Sequence, residues 1–229
     1  MTEAPVVTID GPSGSGKGTV SRLLAQRVGW HLLDSGALYR LVAYAGSLAR
    51  LAPDDVAGHV QIAGLMKVEF DHKAGAGERV VLDGRDVTAA LREESAGAGA
   101  SRVAAWPALR AALISRQRAA AVAPGLIADG RDMGTVIFPH ARLKIFLTAS
   151  AGERAQRRYK QLKEKDSGVS LAALSREIAE RDRRDATRSV APLVPAADAI
   201  VLDSTTLSAA EVTDAIVALG RARALWEEC

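Results

Sequence analysis

The segment from Val6 to Thr19 constrains the fold of this chain more than any other part. Residues 6–9 read Val-Val-Thr-Ile, a β-favouring run that is typical of a short buried strand. Asp-Gly-Pro-Ser-Gly-Ser-Gly-Lys-Gly-Thr follows, and its glycines allow tight turns that bring backbone N–H groups near an anion. An amphipathic helix begins at Lys17, whose ammonium group and helix N-terminus add to the attraction. Strand, spacing and helix together predict a phosphate-binding loop.

The residue after Lys17 is Gly18, and Thr19 comes one position later. Many phosphate-loop proteins carry Ser or Thr directly after the lysine, where its hydroxyl contacts Mg²⁺. Gly-Lys-Gly-Thr instead resembles the nucleoside monophosphate kinases, in which phosphate oxygens and water hold most of the metal. We therefore expect Mg²⁺ to accompany ATP and expect no metal site built from side chains. The same feature disfavours a switch-type GTPase.

Composition is consistent with a single domain over residues 1–229 that carries an insert. The chain is 48% hydrophobic with 4% aromatic residues and a formal net charge of +3. Residues 150–190 contain eleven Lys or Arg and seven Asp or Glu, so this segment alone carries +4. Part of it is interpreted as a solvated helix face. The rest suits a small polyanionic substrate, and we expect no nucleic-acid partner.

The cysteine content and the absence of long apolar runs indicate a cytoplasmic protein. The single cysteine, Cys229, excludes an intramolecular disulfide and fits a reducing compartment. We expect neither a signal peptide nor a membrane-spanning segment, because no apolar run approaches the required length. We also expect a monomer.

Strand-like runs alternate with helical patterns, which predicts an α/β fold with a parallel five-stranded sheet and helices on both faces. The predicted strands are Val6–Asp10, His31–Leu33, Leu126–Asp129, Leu143–Leu147 and Ala199–Leu202. The predicted helices are Lys17–Val28, Ala37–Ala49, Pro107–Ala123, Ala151–Lys165, Leu171–Thr187 and Ser208–Ala224. Ligands bind such sheets at the carboxyl ends of the strands, where Asp10, Asp34 and Asp129 lie.

Residues 53–100 break this alternation and predict an insert with a small antiparallel three-stranded sheet. Met66–Phe70 and Arg79–Leu82 alternate at period two around the loop Ala74–Gly77, and Asp83-Gly84 predicts a tight turn into a third strand at Val87-Thr88. A helix over Asp54–Leu65 leads into the insert.

The tetrapeptide Asp-Gly-Arg-Asp occurs twice, at 83–86 and 129–132. The first copy is explained by hairpin-turn geometry and is interpreted as structural. The second copy ends a core strand, where Arg131 supplies a phosphate donor and Asp132 a fixed acceptor. We interpret the second copy as functional, with a mutual or neighbouring salt bridge as the alternative.

Several other polar residues are candidates for the site, each with a structural alternative. Arg40 lies one turn into the second helix and suits a phosphate, whereas Asp34 or Ser35 could simply cap that helix. Arg181, Asp185 and Arg188 are spaced to share one helical face, with an exposed ion-pair ladder as the alternative. Arg154 and Arg158 are also one turn apart. Two such arginine faces near a phosphate-binding loop suggest a cage around a transferring group.

The motifs together resemble those of the bacterial cytidylate kinases over nearly the whole chain. The matching segments are 9–19 (Ile-Asp-Gly-Pro-Ser-Gly-Ser-Gly-Lys-Gly-Thr), 32–40 (Leu-Leu-Asp-Ser-Gly-Ala-Leu-Tyr-Arg), 127–136 (Ile-Ala-Asp-Gly-Arg-Asp-Met-Gly-Thr-Val), 180–185 (Glu-Arg-Asp-Arg-Arg-Asp) and 191–199 (Ala-Pro-Leu-Val-Pro-Ala-Ala-Asp-Ala). The resemblance implies a P-loop kinase core, an insert at 53–100 that helps to bind the acceptor nucleotide, and an arginine-rich lid over 151–168. It also implies transfer of the γ-phosphoryl group of ATP to CMP or dCMP with Mg²⁺.

Matching positions imply individual roles. ATP would be held by Gly11, Pro12, Ser13, Gly14, Ser15, Gly16, Lys17, Gly18 and Thr19, with Arg154, Arg157 and Arg158 as lid arginines. Cytosine would contact Ser35, Arg110 and Asp132, and the pentose would contact Ser101, Arg181 and Asp185. The acceptor phosphate would be held by Arg40, Arg131 and Arg188. Lys17, Arg131, Arg158 and Arg188 would act on the transferring group.

Three rival functions remain open at this point. The nearest is a P-loop kinase for another acceptor, such as AMP, UMP or shikimate. A nucleotide-dependent regulator would be expected to carry Ser or Thr after Lys17 and a guanine-binding Asn-Lys-x-Asp motif, and the sequence contains neither. A binding module without catalysis does not explain the lysine and the arginine set. No histidine or cysteine is placed as a nucleophile, which favours direct transfer.

Overall fold

A computed structural model of the chain describes residues 4–71, 79–163 and 170–226. The predicted hairpin loop Ala74–Gly77, the lid residues 164–168 and Cys229 lie outside the described residues. The strands are β1 (Val6–Asp10), β2 (His31–Asp34), β3 (Val68–Asp71), β4 (Arg79–Leu82), β5 (Arg85–Asp86), β6 (Leu126–Gly130), β7 (Leu143–Thr148) and β8 (Ile200–Asp203). The helices are α1 (Lys17–Val28), α2 (Ser35–Leu48), α3 (Val56–Leu65), α4 (Glu94–Val103), α5 (Pro107–Arg118), α6 (Ala151–Lys163), α7 (Leu171–Ala186) and α8 (Ala209–Arg221).

The chain forms two compact units, which are described separately. One is built from the described residues of Met1–Asp34 and Gln117–Cys229, and the other from those of Ser35–Arg116. In the first unit, the described strands form a five-stranded parallel sheet in the order β2-β6-β1-β7-β8. Strand β1 is therefore central, and the loop that follows it leaves from the middle of the sheet.

The core of the first unit lies between one face of the sheet and two helices. Val7 and Ile9 of β1 are fully buried against Leu24 of α1 and Ile216 of α8. Because successive strand residues face opposite sides, Thr8 and Asp10 face the other side of the sheet. That side carries a short π-helical turn, Met133–Ile137, which the sequence analysis did not predict.

The second unit contains the predicted antiparallel sheet, in the order β3-β4-β5. Asp83 and Gly84 have φ values of 48° and 80°, which suits the two-residue turn of a tight hairpin. The third strand is Arg85–Asp86, directly after this turn, so its predicted position at Val87-Thr88 was wrong.

Two helical predictions also need correction. Helix α5 ends at Arg118 rather than Ala123, because the chain then turns through Ala120 and Ala121 toward Pro124. Helix α4 was not predicted, since Gly97 and Gly99 lower its helix propensity. It forms because Ala96, Ala100 and Val103 are buried and the helix packs along α2.

Candidate active site

The loop between β1 and α1 has the backbone geometry of an anion-binding turn. Gly14 and Gly16 have φ values of 78° and 90°, a region that L-residues with a side chain rarely occupy. Helix α1 begins at Lys17, directly after Gly16. The loop therefore presents backbone N–H groups and a helix N-terminus together, as a bound phosphate requires.

Lys17 is 9% exposed and its Nζ donates a hydrogen bond to the Pro12 carbonyl at 3.2 Å. Burial lowers the pKa of its ammonium group to about 7, and the positive charge of Arg131 contributes in the same direction. The carboxylate of Asp129 partly opposes this shift. A bound polyphosphate would place negative charge beside Lys17 and so stabilise its charged form.

Asp129 lies beside the position where the usual hydroxyl residue is replaced by Gly18. A Cβ atom at position 18 would lie 3.3 Å from Oδ2 of Asp129. A carboxylate oxygen is a hard ligand of the kind that Mg²⁺ prefers. Within the described ranges, no group of three or more His, Cys, Asp or Glu side chains could hold a metal ion by itself. Asp129 thus offers one carboxylate to a Mg²⁺ ion whose other ligands are phosphate oxygens and water.

The second Asp-Gly-Arg-Asp motif lies at the end of β6, as predicted. Asp129 and Gly130 complete the strand, and Arg131 and Asp132 follow it directly. Asp132 is 3% exposed and precedes the Met133–Ile137 turn. The motif therefore places a buried carboxylate at the end of a strand adjacent to β1.

Asp185 is the centre of a buried cluster of opposite charges. Its Oδ2 accepts a hydrogen bond from Nε of Arg131 at 3.0 Å, and its Oδ1 lies 3.3 Å from Nη2 of Arg188. Burial opposes the carboxylate charge, but the guanidinium groups of Arg131, Arg188 and Arg181 hold the pKa of Asp185 below its usual value. The cluster is not the exposed ladder weighed as an alternative, because the Asp185 side chain is only 7% exposed.

The helical face predicted to be shared by Arg181, Asp185 and Arg188 does not extend to Arg188. Helix α7 ends at Ala186, so Arg181 and Asp185 share a helical face but Arg188 follows in the next segment. Its Nε still donates to the Asp185 carbonyl at 3.3 Å. The predicted association of Arg188 with Asp185 is therefore present, although it is not produced by helical spacing.

Arg154 and Arg157 of α6 contact the phosphate-binding loop through its carbonyl oxygens. Nη1 of Arg154 donates to the Ser13 carbonyl at 2.9 Å, and Nη1 of Arg157 donates to the Ser15 carbonyl at 3.3 Å. Arg154 also makes a two-pronged ion pair with Asp182 of α7, at 3.1 and 2.6 Å. Both guanidinium groups thus hold the loop through its carbonyl oxygens. Arg158, on the same helix, is half-buried.

The second unit contains the remaining predicted residues, namely Ser35, Arg40, Ser101 and Arg110. Ser35 is buried and is the first residue of α2, while Arg40 is half-buried one turn later. Arg110 is 4% exposed, so it is not a solvated surface arginine. Its Nη1 donates to the Ala104 carbonyl at 3.2 Å, and its guanidinium group lies 5.7 Å from the centre of the Tyr39 ring.

Ser101 of α4 has a buried Oγ with no hydrogen-bond partner among the described residues. A buried hydroxyl in this state destabilises the fold unless a ligand or water satisfies it. This observation is compatible with the pentose contact that the sequence comparison implies for Ser101.

The sequence analysis placed Asp10 at a strand end but assigned it no role in the site. Its carboxylate accepts hydrogen bonds from the backbone N–H groups of Met133 and Gly134, at 2.9 and 2.8 Å. Its position at a strand end was visible in the sequence. Its partners were not, because the π-helical turn that presents them has no sequence signature.

Fold and site together define a P-loop kinase, in which a phosphate-binding loop leaves the central strand of a parallel sheet and is contacted by the guanidinium groups of Arg154 and Arg157. A family model described as Cytidylate kinase matches residues 7–222. The chain belongs to the cytidylate kinase family.

Named relatives match along almost the whole chain. The cytidylate kinase of Pseudomonas savastanoi pv. phaseolicola is 58% identical over 216 residues, which cover 94% of each chain. The cytidylate kinase of a Marinomonas species is 53% identical over 218 residues, covering 95% of this chain and 96% of the relative. A crystal structure of an uncharacterized protein from Eubacterium ventriosum superposes with a TM-score of 0.51 at 13% identity, covering 94% of this chain and 97% of the other. That last likeness concerns the fold alone.

The described helices include none that is both long and apolar enough to cross a membrane.

Proposed function

We infer that the protein transfers the γ-phosphoryl group of ATP to CMP or dCMP, giving CDP or dCDP and ADP. The observation that carries this inference is the first unit's combination of Lys17 with the charged cluster of Arg131, Asp185 and Arg188. Phosphoryl transfer needs in-line positioning and neutralisation of several negative charges rather than a covalent intermediate. The sequence offers no histidine or cysteine in the position of a nucleophile, so transfer is direct.

The loop Gly11–Thr19 holds the phosphates of ATP through its backbone N–H groups, and Lys17 contacts the β- and γ-phosphates. Lys17 stabilises the charge that develops as the γ-phosphoryl group moves. Arg154 and Arg157 act on ATP through the loop that they support, while Arg158 contacts the transferring group. Residues 151–168 act as a lid that excludes water, which would otherwise hydrolyse ATP.

Asp129 would be the carboxylate available to a Mg²⁺ ion that accompanies ATP, with phosphate oxygens and water as the other ligands. When bound, the ion neutralises part of the triphosphate charge and orients the phosphates. This role explains why Gly18 is tolerated at a position that carries a hydroxyl in other phosphate-loop proteins.

Asp132 selects cytosine, with Ser35 and Arg110 as further contacts to the base. Cytosine presents an amino donor at its 4-position, where uracil presents a carbonyl acceptor. A buried carboxylate accepts a hydrogen bond from the first and repels the second. The low exposure of Asp132 supports this role, because discrimination is strongest where a mismatched polar group cannot reach water.

The pentose is held by Ser101, Arg181 and Asp185, and the acceptor phosphate by Arg40, Arg131 and Arg188. The buried Ser101 hydroxyl and the ionised state of Asp185 support the pentose contacts. Residues 53–100 help to bind the acceptor nucleotide. We further propose that the protein is monomeric and cytoplasmic.

A coupled ADP-release assay with ATP–Mg²⁺ and five acceptors tests this function. We expect CMP and dCMP to have the highest kcat/KM, well above UMP, AMP and GMP. A preference for UMP or AMP would assign the protein to a different nucleoside monophosphate, and equal ADP release without any acceptor would make it a hydrolase.

A further inference from the structure

Asp10 is a buried carboxylate that none of the roles above uses. It is 5% exposed and lies at the end of β1, on the side of the sheet opposite the α1–α8 core. Each carboxylate oxygen accepts one backbone N–H, from Met133 to Oδ1 and from Gly134 to Oδ2. Both are short, charge-assisted hydrogen bonds, which are stronger than those between neutral groups.

These two N–H groups begin the turn Met133–Ile137, which follows Asp132 without an intervening residue. The first N–H groups of any helical turn have no partner within the turn and need an external acceptor. Asp132 precedes the turn, but its side chain makes no capping hydrogen bond there. Asp10 provides the missing acceptor from the neighbouring strand β1, so the start of the turn is held to β1.

Gly134 lets the turn approach Asp10 closely. A Cβ atom at position 134 would lie 2.8 Å from Oγ1 of Thr8, 3.2 Å from Cδ of Lys144 and 3.4 Å from Oδ2 of Asp10. The first of these distances is shorter than any normal carbon–oxygen contact. Even a methyl group at this position would push the turn away from β1.

We propose that Asp10 is a positioning residue for the acceptor nucleotide, acting by fixing the turn that holds Arg131 and Asp132 at the end of β6. This inference rests on the proposed roles of Arg131 and Asp132. Asp10 itself touches no substrate in this account. Its contribution is to prevent the Arg131–Asp132 segment from shifting relative to β1 and the phosphate-binding loop.

The charges around Asp10 make this contribution dependent on pH. Burial raises the pKa of Asp10 to about 6, and the hydrogen bonds from Gly134 and Met133 oppose that rise. The negative charge of Asp132 raises the pKa further, whereas the positive charge of Arg131 lowers it. Lys144 also packs nearby, but its Nζ donates to the Pro139 carbonyl at 2.6 Å and to Asp198 at 2.9 Å. Protonation below that pH turns one acceptor oxygen into a hydroxyl and weakens one of the two bonds.

The test uses Asp10→Asn with Thr8→Val as the matched control. An asparagine keeps the size of the side chain, but its amide can accept only one of the two N–H groups and opposes the other with a donor. We expect Asp10→Asn to raise the KM for CMP about tenfold, with kcat and the KM for ATP changed by about twofold or less. Thr8→Val removes a buried hydroxyl that has no hydrogen-bond partner among the described residues and should leave all three constants unchanged.

The pH dependence separates a positioning role from a merely structural one. The ratio of parent to Asp10→Asn kcat/KM for CMP should be largest near about pH 8 and fall toward one at about pH 5, because only the parent has a group to protonate there. Titration of the CMP phosphate affects both proteins and cancels in the ratio. Gly134→Ala should also raise the KM for CMP, without this pH dependence, and it replaces the first variant if Asp10→Asn does not fold.

An unchanged KM for CMP, an equal rise in both KM values, or a ratio independent of pH would overturn the inference. If only Gly134→Ala can be tested, a KM for CMP equal to that of the parent would also overturn the inference. The proposed site is judged separately through Asp132→Asn. If Asp132→Asn alters the choice between CMP and UMP while Asp10→Asn leaves the KM for CMP unchanged, only the positioning role of Asp10 fails.

Discussion

Lys17 is the residue on which the phosphoryl-transfer mechanism depends most directly. We expect Lys17→Ala to lower kcat by about two orders of magnitude or more, the loss typical of a positioned electrostatic donor. The fold should survive, because the ammonium group is already destabilised by burial. Steady-state kinetics and a thermal melt measure both effects.

Arg22→Ala is the matched control for Lys17→Ala, since Arg22 lies on the same helix but is exposed. It should retain the parent kcat. Near-normal turnover of Lys17→Ala would contradict the mechanism, whatever the control shows.

Asp132 is the residue on which the choice between cytosine and uracil depends. Asp132→Asn keeps the size of the side chain, removes its charge and adds an amide donor, so it should lose activity with CMP and gain relative activity with UMP. We expect the UMP:CMP ratio of kcat/KM to rise at least about tenfold, within the range expected when a buried polar group is mismatched.

Asp86, the equivalent residue of the first Asp-Gly-Arg-Asp copy, gives a control in the same motif. It lies in the hairpin, paired with Arg79 at 2.9 Å, and its side chain is about half exposed. Asp86→Asn should leave the ratio unchanged. If Asp132→Asn does so too, Asp132 does not read the base.

Candidate site residues could be identified from the sequence where they belong to a recognisable motif, as Lys17 and Asp132 do. Asp10 shows where that approach fails. Its function depends on two backbone N–H groups more than a hundred residues away, in a turn without a sequence signature. The burial of Arg110 was equally invisible, because a single arginine in a helical pattern is usually exposed.

At the scale of whole elements, helices α6 and α7 are joined to the phosphate-binding loop through Arg154. Its guanidinium group binds both oxygens of Asp182 and the carbonyls of Ser13 and Ala149. Arg154→Lys should therefore lower kcat/KM for ATP and for CMP by about tenfold, because a lysine cannot make this planar set of bonds. Asp182→Asn should have a similar effect.

A double-mutant cycle measures whether the two residues act as a pair. The combined variant should be little worse than either single variant. Arg183→Lys, an exposed change on α7, should behave like the parent. Fully additive losses would show that Arg154 and Asp182 act independently.

The five strands of the parallel sheet were predicted to within one residue at each end, whereas several helix ends and the weaker elements were not. Val, Ile and Leu runs located the strands of the parallel sheet because burial on both faces demands such runs. Helix α4 was missed because its stability comes from packing along α2 rather than from its own residues. The strand β5 was displaced by two residues because its two exposed residues carry no apolar pattern.

At the scale of the molecule, several arginines of residues 150–190 are engaged by acidic side chains within the first unit. Arg154, Arg181 and Arg188 have their charges balanced by acidic side chains or directed at the Asp185 cluster. The chain end also contributes to this unit. Trp226 packs edge-on against Trp30 with ring centres 5.3 Å apart, a contact that no sequence motif indicated.

The central claim is that the γ-phosphoryl group passes from ATP to CMP without loss to water. The most direct test incubates the protein with γ-labelled ATP, Mg²⁺ and CMP and separates the nucleotides over time. We expect the label to appear in CDP, and we expect unlabelled ADP to form in an amount equal to the CDP. Little ADP should form when CMP is left out. ADP formation at the same rate without CMP, or label that remains outside CDP, would contradict the account.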